Sequence, residues 1–118
     1  MNYRIYHNPR CSKSRATLAL LEDAGVPVTV TEYLKEPPDA GTLLRIAELL
    51  DCRPRDLIRR SDPDYRSERE TMEALADDAA AAWLAAHPAA IERPIVVRDD
   101  DAAAIGRPPE NVRGILRT

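Results

Sequence analysis

The stretch "YRIYHNPRCSKSRATLALLEDAGVPVTVTEYL", from Tyr3 to Leu34, predicts the core of the fold. Its first residues, Tyr3 to Tyr6, alternate and favour β structure, which predicts a short strand. An Asn-Pro pair breaks that strand, and leucines at helical spacing predict a helix from Ser12 to Ala24 that Gly25 closes. The β-branched run from Val26 to Leu34 predicts a second strand. This order predicts parallel strands joined by a right-handed crossover.

The rest of the chain predicts several helices and then a β-hairpin. The predicted segments are, in order, a helix capped by Asp39, a short helical turn over Arg53–Arg60, a long helix from about Glu68 to Ala86, strands at Ile95–Val97 and Ala103–Ile105, and a final helix within "RPPENVRGIL".

Length and composition favour one domain in a reducing compartment. The chain has 118 residues and is 44% hydrophobic, which suits a single globular domain. No apolar run approaches the roughly 20 residues that span a bilayer. The beginning "MNYRIYHNPR" lacks the apolar region of a secretory signal, so we expect a cytoplasmic protein that does not bind membranes.

The basic residues are unevenly placed. Net charge is −3, yet the first acid is Glu22, and four cations precede it. An acidic chain with a basic beginning does not favour nucleic-acid binding, for which a broad basic face is expected. It indicates a local anion site. Of the 17 basic residues, only Lys13 and Lys35 are lysines. Because of this compositional bias, we interpret most of the arginines as ordinary surface cations, unless their position in the sequence indicates a specific role.

The two cysteines, Cys11 and Cys52, stand far apart in sequence. A reducing compartment disfavours a structural disulfide between them. The sequence holds no Cys-x-x-Cys pair and no Cys/His cluster with zinc spacing, so we expect no metal site. Cys52 follows an apolar helix and is interpreted as a packing residue.

Cys11 is the candidate nucleophile. It lies between the first strand and first helix, where unpaired backbone N–H groups and the helix dipole stabilise a thiolate and attract anions. Nearby His7, Arg10, Lys13 and Arg15 add positive potential. The alternative is a small packing cysteine beside incidental cations.

The spacing around Cys11 excludes two other anion sites. A nucleotide-binding loop needs several glycines and a Gly-Lys-Ser/Thr ending. A tyrosine-phosphatase loop, Cys-x5-Arg, needs arginine where Thr17 stands. Ser14 occupies the position of the second thiol in a Cys-x-x-Cys motif, so a covalent adduct on Cys11 would need an outside thiol such as glutathione for its release. Ser14 can also be a structural hydrogen-bonding residue at the helix start.

Five segments together resemble the ArsC family of glutaredoxin-coupled arsenate reductases. They are "IYHNPRCSKSRATLALL", "TEYLKEPP", "RPRDLIRRSDPDY", "HPAAIERPIVV" and "GRPPENV". The resemblance covers nearly the whole chain. It implies an α/β, thioredoxin-like fold with a mixed four-stranded sheet flanked by helices. A helical subdomain is inserted at about residues 38–90 of a single ArsC-like domain, 1–118. Pro94 would be the candidate for a cis peptide bond.

The resemblance also implies roles for individual residues. Cys11 resembles the nucleophile and His7 a residue that supports its thiolate. Arg59, Arg93 and Arg107 resemble three arginines that bind the oxyanion; Arg60 fits the family pattern less well than Arg59. Ser14 and Arg15 complete the expected substrate site. Arg10 departs from the family pattern because it replaces a small residue, and Lys13 adds another cation.

The implied reaction is the reduction of arsenate to arsenite. A Cys11–arsenic adduct would be released by glutathione, which acts as co-substrate, and by glutaredoxin. The resemblance implies a monomer with no bound cofactor. Three alternatives remain at this point: a glutathione-dependent reductase of the same fold with another substrate, a regulator that binds a partner protein as Spx proteins do, and a catalytically silent binding domain.

Overall fold

A computed structural model describes residues 1–117, whose central element is a mixed four-stranded sheet. The strands are β1 (Tyr3–His7), β2 (Val28–Glu32), β3 (Ile95–Arg98) and β4 (Ala102–Ile105). Their order is β2-β1-β3-β4. Strands β1 and β2 are parallel, whereas β3 pairs antiparallel with β1 and β4. The predicted parallel pair and hairpin are thus confirmed.

The first helix, α1, spans Ser12–Asp23 and connects the two parallel strands. Gly25 ends it in the left-handed conformation, with φ +72°, and its N–H donates to the Glu22 carbonyl at 3.0 Å. Glycine suits this position because a Cβ would be strained there. The helix therefore begins and ends close to its predicted bounds.

The chain divides into two compact units. One comprises Met1–Glu36 and Arg93–Thr118, and contains the sheet and α1. Its buried core joins residues of β1, α1, β3 and a 3₁₀ helix at Pro109–Ile115, namely Tyr3, Ile5, Leu21, Val96, Val112 and Ile115. A buried arginine completes this core: the Arg98 guanidinium donates to the Ile115 carbonyl at 2.9 Å and to Asp101 at 3.1 Å.

The other unit, Pro37–Glu92, is helical and is inserted between β2 and β3. It contains α2 (Ala40–Leu49), α3 (Pro63–Ser67), α4 (Arg69–Glu73), α5 (Asp77–Ala86) and 3₁₀ turns at Pro54–Leu57 and Pro88–Ala90. Helices α2 and α5 pack together, and both contribute buried residues, namely Leu43, Ala47, Ala80 and Leu84. The predicted cap is confirmed, since the Asp39 carboxylate accepts the Thr42 N–H at 2.8 Å.

One prediction of secondary structure was wrong. The long helix from about Glu68 to Ala86 is two helices, because Ala76 is extended and α5 begins at Asp77. The segment "SDPDY" also contains the start of α3, where Asp62 is the cap and Pro63 occupies the first turn, a position that proline favours. The predicted final helix is present and is a 3₁₀ helix at Pro109–Ile115.

This architecture confirms the predicted thioredoxin-like fold with an inserted helical subdomain. The peptide bonds Arg93–Pro94 and Arg107–Pro108 are both cis. Among residues 1–117, no helix combines the length and the apolar character that crossing a membrane requires.

Gly106 lets the end of β4 approach α1 and β3 closely. A Cβ at this position would lie 2.8 Å from Pro94 Cγ and 3.0 Å from Thr17 Cγ2. Its N–H donates to the Pro94 carbonyl at 2.9 Å. Proline and threonine side chains are stiff, so neither yields readily to an added methyl group.

We expect Gly106→Ala to lower the free energy of unfolding by about 1–3 kcal/mol, because the added methyl overpacks this contact. Urea unfolding followed by circular dichroism measures the change. Gly114→Ala is the matched control, since a Cβ there meets nothing within 4 Å. Equal stability of the two variants would contradict the close approach.

Candidate active site

Cys11 is the N-cap residue of α1, with φ −93° and ψ 122°. Its N–H donates to the Asn8 carbonyl at 3.0 Å, and its carbonyl accepts the Arg15 N–H at 3.0 Å. Helices usually begin at Ser, Thr, Asp or Asn, whose oxygens accept the unpaired N–H groups of the first turn. Here a sulfur occupies that position, and the first turn contains no acidic residue that would oppose a thiolate.

The surroundings of Cys11 lower the pKa of its thiol below the ordinary value. Partial burial acts in the opposite direction and raises it, as desolvation penalises the charged form. The backbone N–H of Ser14, the Arg93 guanidinium and the backbone N–H of Lys13 together outweigh that effect. A larger thiolate fraction at neutral pH follows, and the thiolate is the nucleophilic form.

Two arginines from the far end of the sequence reach the Cys11 sulfur. Arg107 Nη2 lies 3.7 Å from Sγ, and Arg107 Nε donates to the Arg93 carbonyl at 2.6 Å. The Arg93 guanidinium hydrogen-bonds the sulfur, and its Nε and Nη1 are buried. The planar guanidinium of Arg107 thus connects the Cys11 sulfur to the backbone of Arg93.

His7 and Ser14 form a buried pair behind the first turn of α1. Their side chains are 6% and 0% exposed, and His7 Nδ1 lies 2.6 Å from Ser14 Oγ. Ser14 Oγ also accepts the Asn8 N–H at 3.0 Å, which leaves the hydroxyl proton for His7 Nδ1. Burial lowers the pKa of His7, against the opposing effect of Glu32, and Arg15 lowers it further, which favours the neutral ring.

In this arrangement, His7 and the Ser14 hydroxyl stabilise the loop that precedes Cys11. The Ser14 side chain, predicted to bind substrate, is directed at His7 and Asn8, while its backbone N–H acts on the sulfur. Arg15 is exposed and donates from Nη1 to the Pro9 carbonyl at 2.9 Å, so it also holds this loop.

Arg59 belongs to the inserted unit. Its N–H donates to the Ala90 carbonyl at 2.7 Å, and its Nη2 donates to Ser61 Oγ at 3.2 Å. The neighbouring Arg60 hydrogen-bonds Tyr65 and approaches Glu73 at 3.9 Å. Arg60 is thus engaged within a cluster of its own unit, whereas no carboxylate among residues 1–117 pairs with Arg59.

Sequence reasoning missed two residues that organise the site. Asn8 provides three hydrogen bonds: its carbonyl accepts from Cys11, its side chain from the Arg10 N–H, and its N–H donates to Ser14. The signal was present, because Asn before Pro is typical of turns held by the asparagine side chain. Asn111 donates from Nδ2 to the Arg107 carbonyl at 2.9 Å, a contact that sequence spacing does not indicate.

Cys52 lies in the inserted unit and differs electrostatically from Cys11. Burial raises the pKa of its thiol, and Asp56 and Asp51 raise it further. Within residues 1–117, no three His, Cys, Asp or Glu side chains come together as ligands for a metal ion.

The model of the ArsC family matches residues 6–115. The chain belongs to the ArsC family. A protein of Neisseria meningitidis serogroup A called "Arsenate reductase" is 43% identical over 114 residues, which make up 96% of this ArsC chain and 97% of that protein. A Haemophilus influenzae protein of the same name is 42% identical over 117 residues, 98% of this chain and 100% of that protein.

A solved structure of "Arsenate reductase from Vibrio cholerae" superposes on this ArsC chain with a TM-score of 0.90. The two are 44% identical, and the match covers 98% of each chain.

We expect Arg93→Gln to raise the pKa of Cys11, because the substitution removes both a hydrogen bond to the thiolate and a positive charge. The pH dependence of Cys11 alkylation by iodoacetamide measures this pKa in a Cys52→Ser background. Arg113→Gln removes an exposed cation of the same unit and is the control. An unchanged pKa in the Arg93 variant would show that this arginine does not stabilise the thiolate.

We expect Ser14→Ala to destabilise the fold by about 1–3 kcal/mol, since it leaves the Asn8 N–H and the buried His7 Nδ1 without their common partner. Chemical unfolding gives the value. Ser12→Ala, at an exposed position in the same turn, should change stability by less than about 0.5 kcal/mol. Similar losses in both variants would mean that the buried pair contributes nothing specific.

Proposed function

We propose that this ArsC protein reduces arsenate to arsenite with Cys11 as the nucleophile. The observation that supports this most strongly is the pairing of a thiol of lowered pKa with two guanidinium groups at a helix N-terminus. A nucleophile and an anion site coincide there, which suits an oxyanion whose central atom is attacked by sulfur. The relatives called arsenate reductase support the choice of arsenate.

In the proposed first step, the Cys11 thiolate attacks arsenic(V). A sulfur–arsenic bond forms, an arsenic–oxygen bond breaks, and the oxygen leaves as water after protonation. Arg93 and Arg107 are the proposed ligands of the arsenate oxygens, because planar guanidinium groups bind oxyanions in a bidentate manner and stay charged. Arg59 is proposed as a third arginine on the family resemblance alone.

The reducing electrons come from outside the chain, since Ser14 occupies the place of a second thiol. A glutathione thiolate binds the arsenic and displaces a second water. A glutaredoxin thiolate then attacks the glutathione sulfur, forming a disulfide, and the sulfur–arsenic electron pair stays on arsenic, which becomes arsenic(III). Water finally displaces Cys11 and arsenite leaves. The use of glutathione and glutaredoxin implies the cytoplasm, and we propose that the enzyme acts as a monomer without a bound cofactor.

We expect arsenate-dependent oxidation of NADPH when the protein is coupled to glutathione, glutaredoxin and glutathione reductase. Cys11→Ser should abolish this turnover because it removes the nucleophile, and omission of glutathione should abolish it as well. Cys52→Ser, which removes the thiol of raised pKa, should retain it.

Turnover by the Cys11 variant would refute the proposed nucleophile. Absence of turnover in the wild type, with Cys11 still alkylated readily at neutral pH, would leave the thiolate site intact and eliminate arsenate as its substrate.

A further inference from the structure

Arg10 and Lys13 lie on either side of Cys11 in the sequence and are the two cations of this segment without an assigned role. Both are exposed. Arg10 immediately precedes Cys11, and Lys13 is in the first turn of α1, where its N–H acts on the sulfur. We call these two side chains the basic rim.

No carboxylate among residues 1–117 pairs with either member of the basic rim. Cations elsewhere in the chain do form such pairs, including Arg45 with Glu48, Arg53 with Asp77 and Arg69 with Glu73. The first acid in the sequence is Glu22, and Glu32, which acts on His7, lies 3.7 Å from Lys35. The charge of the basic rim is therefore not neutralised by a neighbouring acid.

Arg10 is adjacent to Cys11 in the chain and Lys13 follows it by two residues, so the backbone brings both cations to the segment that a ligand of Cys11 must approach. Consecutive Cα atoms are about 3.8 Å apart, and the Debye length at physiological ionic strength is about 8 Å. Arg93 and Arg107 already contact the sulfur, so the thiolate itself does not require two further cations. The rim remains available for a second anion that must reach the same sulfur.

We infer that the basic rim recruits an anionic low-molecular-weight thiol to Cys11 and selects it over neutral or cationic thiols. The inference rests on the proposed function, in which an outside thiol must reach an adduct on Cys11. Glutathione fits this description, because its two carboxylates outweigh its single ammonium group. The rim then determines the rate of encounter with the co-substrate, as charged surfaces do for charged ligands.

The test uses disulfides in place of arsenate, so it does not depend on arsenate reduction. The Cys11 thiolate attacks one sulfur of the disulfide, a mixed disulfide forms, and the other half leaves as a thiolate that takes a proton from water. Second-order rate constants are measured by mass spectrometry in a Cys52→Ser background. The probes are oxidised glutathione, which is anionic, hydroxyethyl disulfide, which is neutral, and cystamine, which is cationic.

The decisive quantity is the ratio of the oxidised-glutathione rate to the hydroxyethyl-disulfide rate. A change in the pKa of Cys11 alters both rates alike and leaves the ratio unchanged. We expect Arg10→Ala/Lys13→Ala to lower this ratio by about threefold to tenfold at low ionic strength. The corresponding ratio for cystamine should rise. In the wild type, raising the salt concentration to about 1 M should remove most of the preference.

The matched control is Arg113→Ala/Arg117→Ala, which removes two exposed cations from the same unit. An unchanged ratio in the rim variant would overturn the inference, and so would an equal fall in the control, which would reflect net charge alone. If the ratio falls only in the rim variant while arsenate is not reduced, the inference stands and the proposed substrate is wrong. Arsenate turnover with an unchanged ratio would leave the proposed function standing and eliminate the rim.

Discussion

A partly buried thiolate must be stabilised by nearby donors, and the structure around Cys11 is organised by that requirement. Desolvation alone would raise the pKa of the thiol. The first turn of α1 supplies two backbone N–H groups, and Arg93 supplies a guanidinium. Cys11 thus occupies the N-cap position that Ser, Thr, Asp or Asn takes in most helices, and N–H groups of the first turn lower the pKa of its thiol.

The second requirement is that distant segments converge on this sulfur. Arg107 is 96 residues from Cys11 in sequence, and its Nη2 lies 3.7 Å from Sγ. Gly106 makes this possible, because it has no side chain to separate β4 from Thr17 and Pro94. Asn111 holds the Arg107 carbonyl, while Arg107 itself holds the Arg93 carbonyl. The close packing at Gly106, the hydrogen bond from Asn111 and the contact of Arg107 with the sulfur thus all depend on the short segment 106–111.

The sequence predicted those parts of the fold whose signals are local. The β-α-β opening followed from alternation, leucine spacing and Gly25, and the cap at Asp39 from its place before an amphipathic helix. The long helix across Ala74–Ala76 was predicted wrongly because alanine has high helix propensity everywhere. A tertiary contact marks the true start of α5, where Asp77 pairs with Arg53 at 2.9 Å.

The candidate active site, like the fold, was predictable from the residues alone only where its signals are local. Position between strand and helix identified Cys11, whereas Arg93 and Arg107 were identified only through the family resemblance. Their contacts with the sulfur depend on three-dimensional packing that no local pattern encodes. Arg98 shows the same limit: composition suggested a surface cation, yet it is buried and bonds the Ile115 carbonyl.

Protection of Cys11 by arsenate against alkylation would test most directly whether the thiolate and the arginines form one oxyanion site. The rate of iodoacetamide modification is measured in the Cys52→Ser protein as arsenate concentration increases, with nitrate as the control anion. We expect a saturable slowing by arsenate, and Arg107→Ala should require higher arsenate concentrations for the same protection. A rate that arsenate leaves unchanged would show that the thiolate and the arginines do not form one oxyanion site.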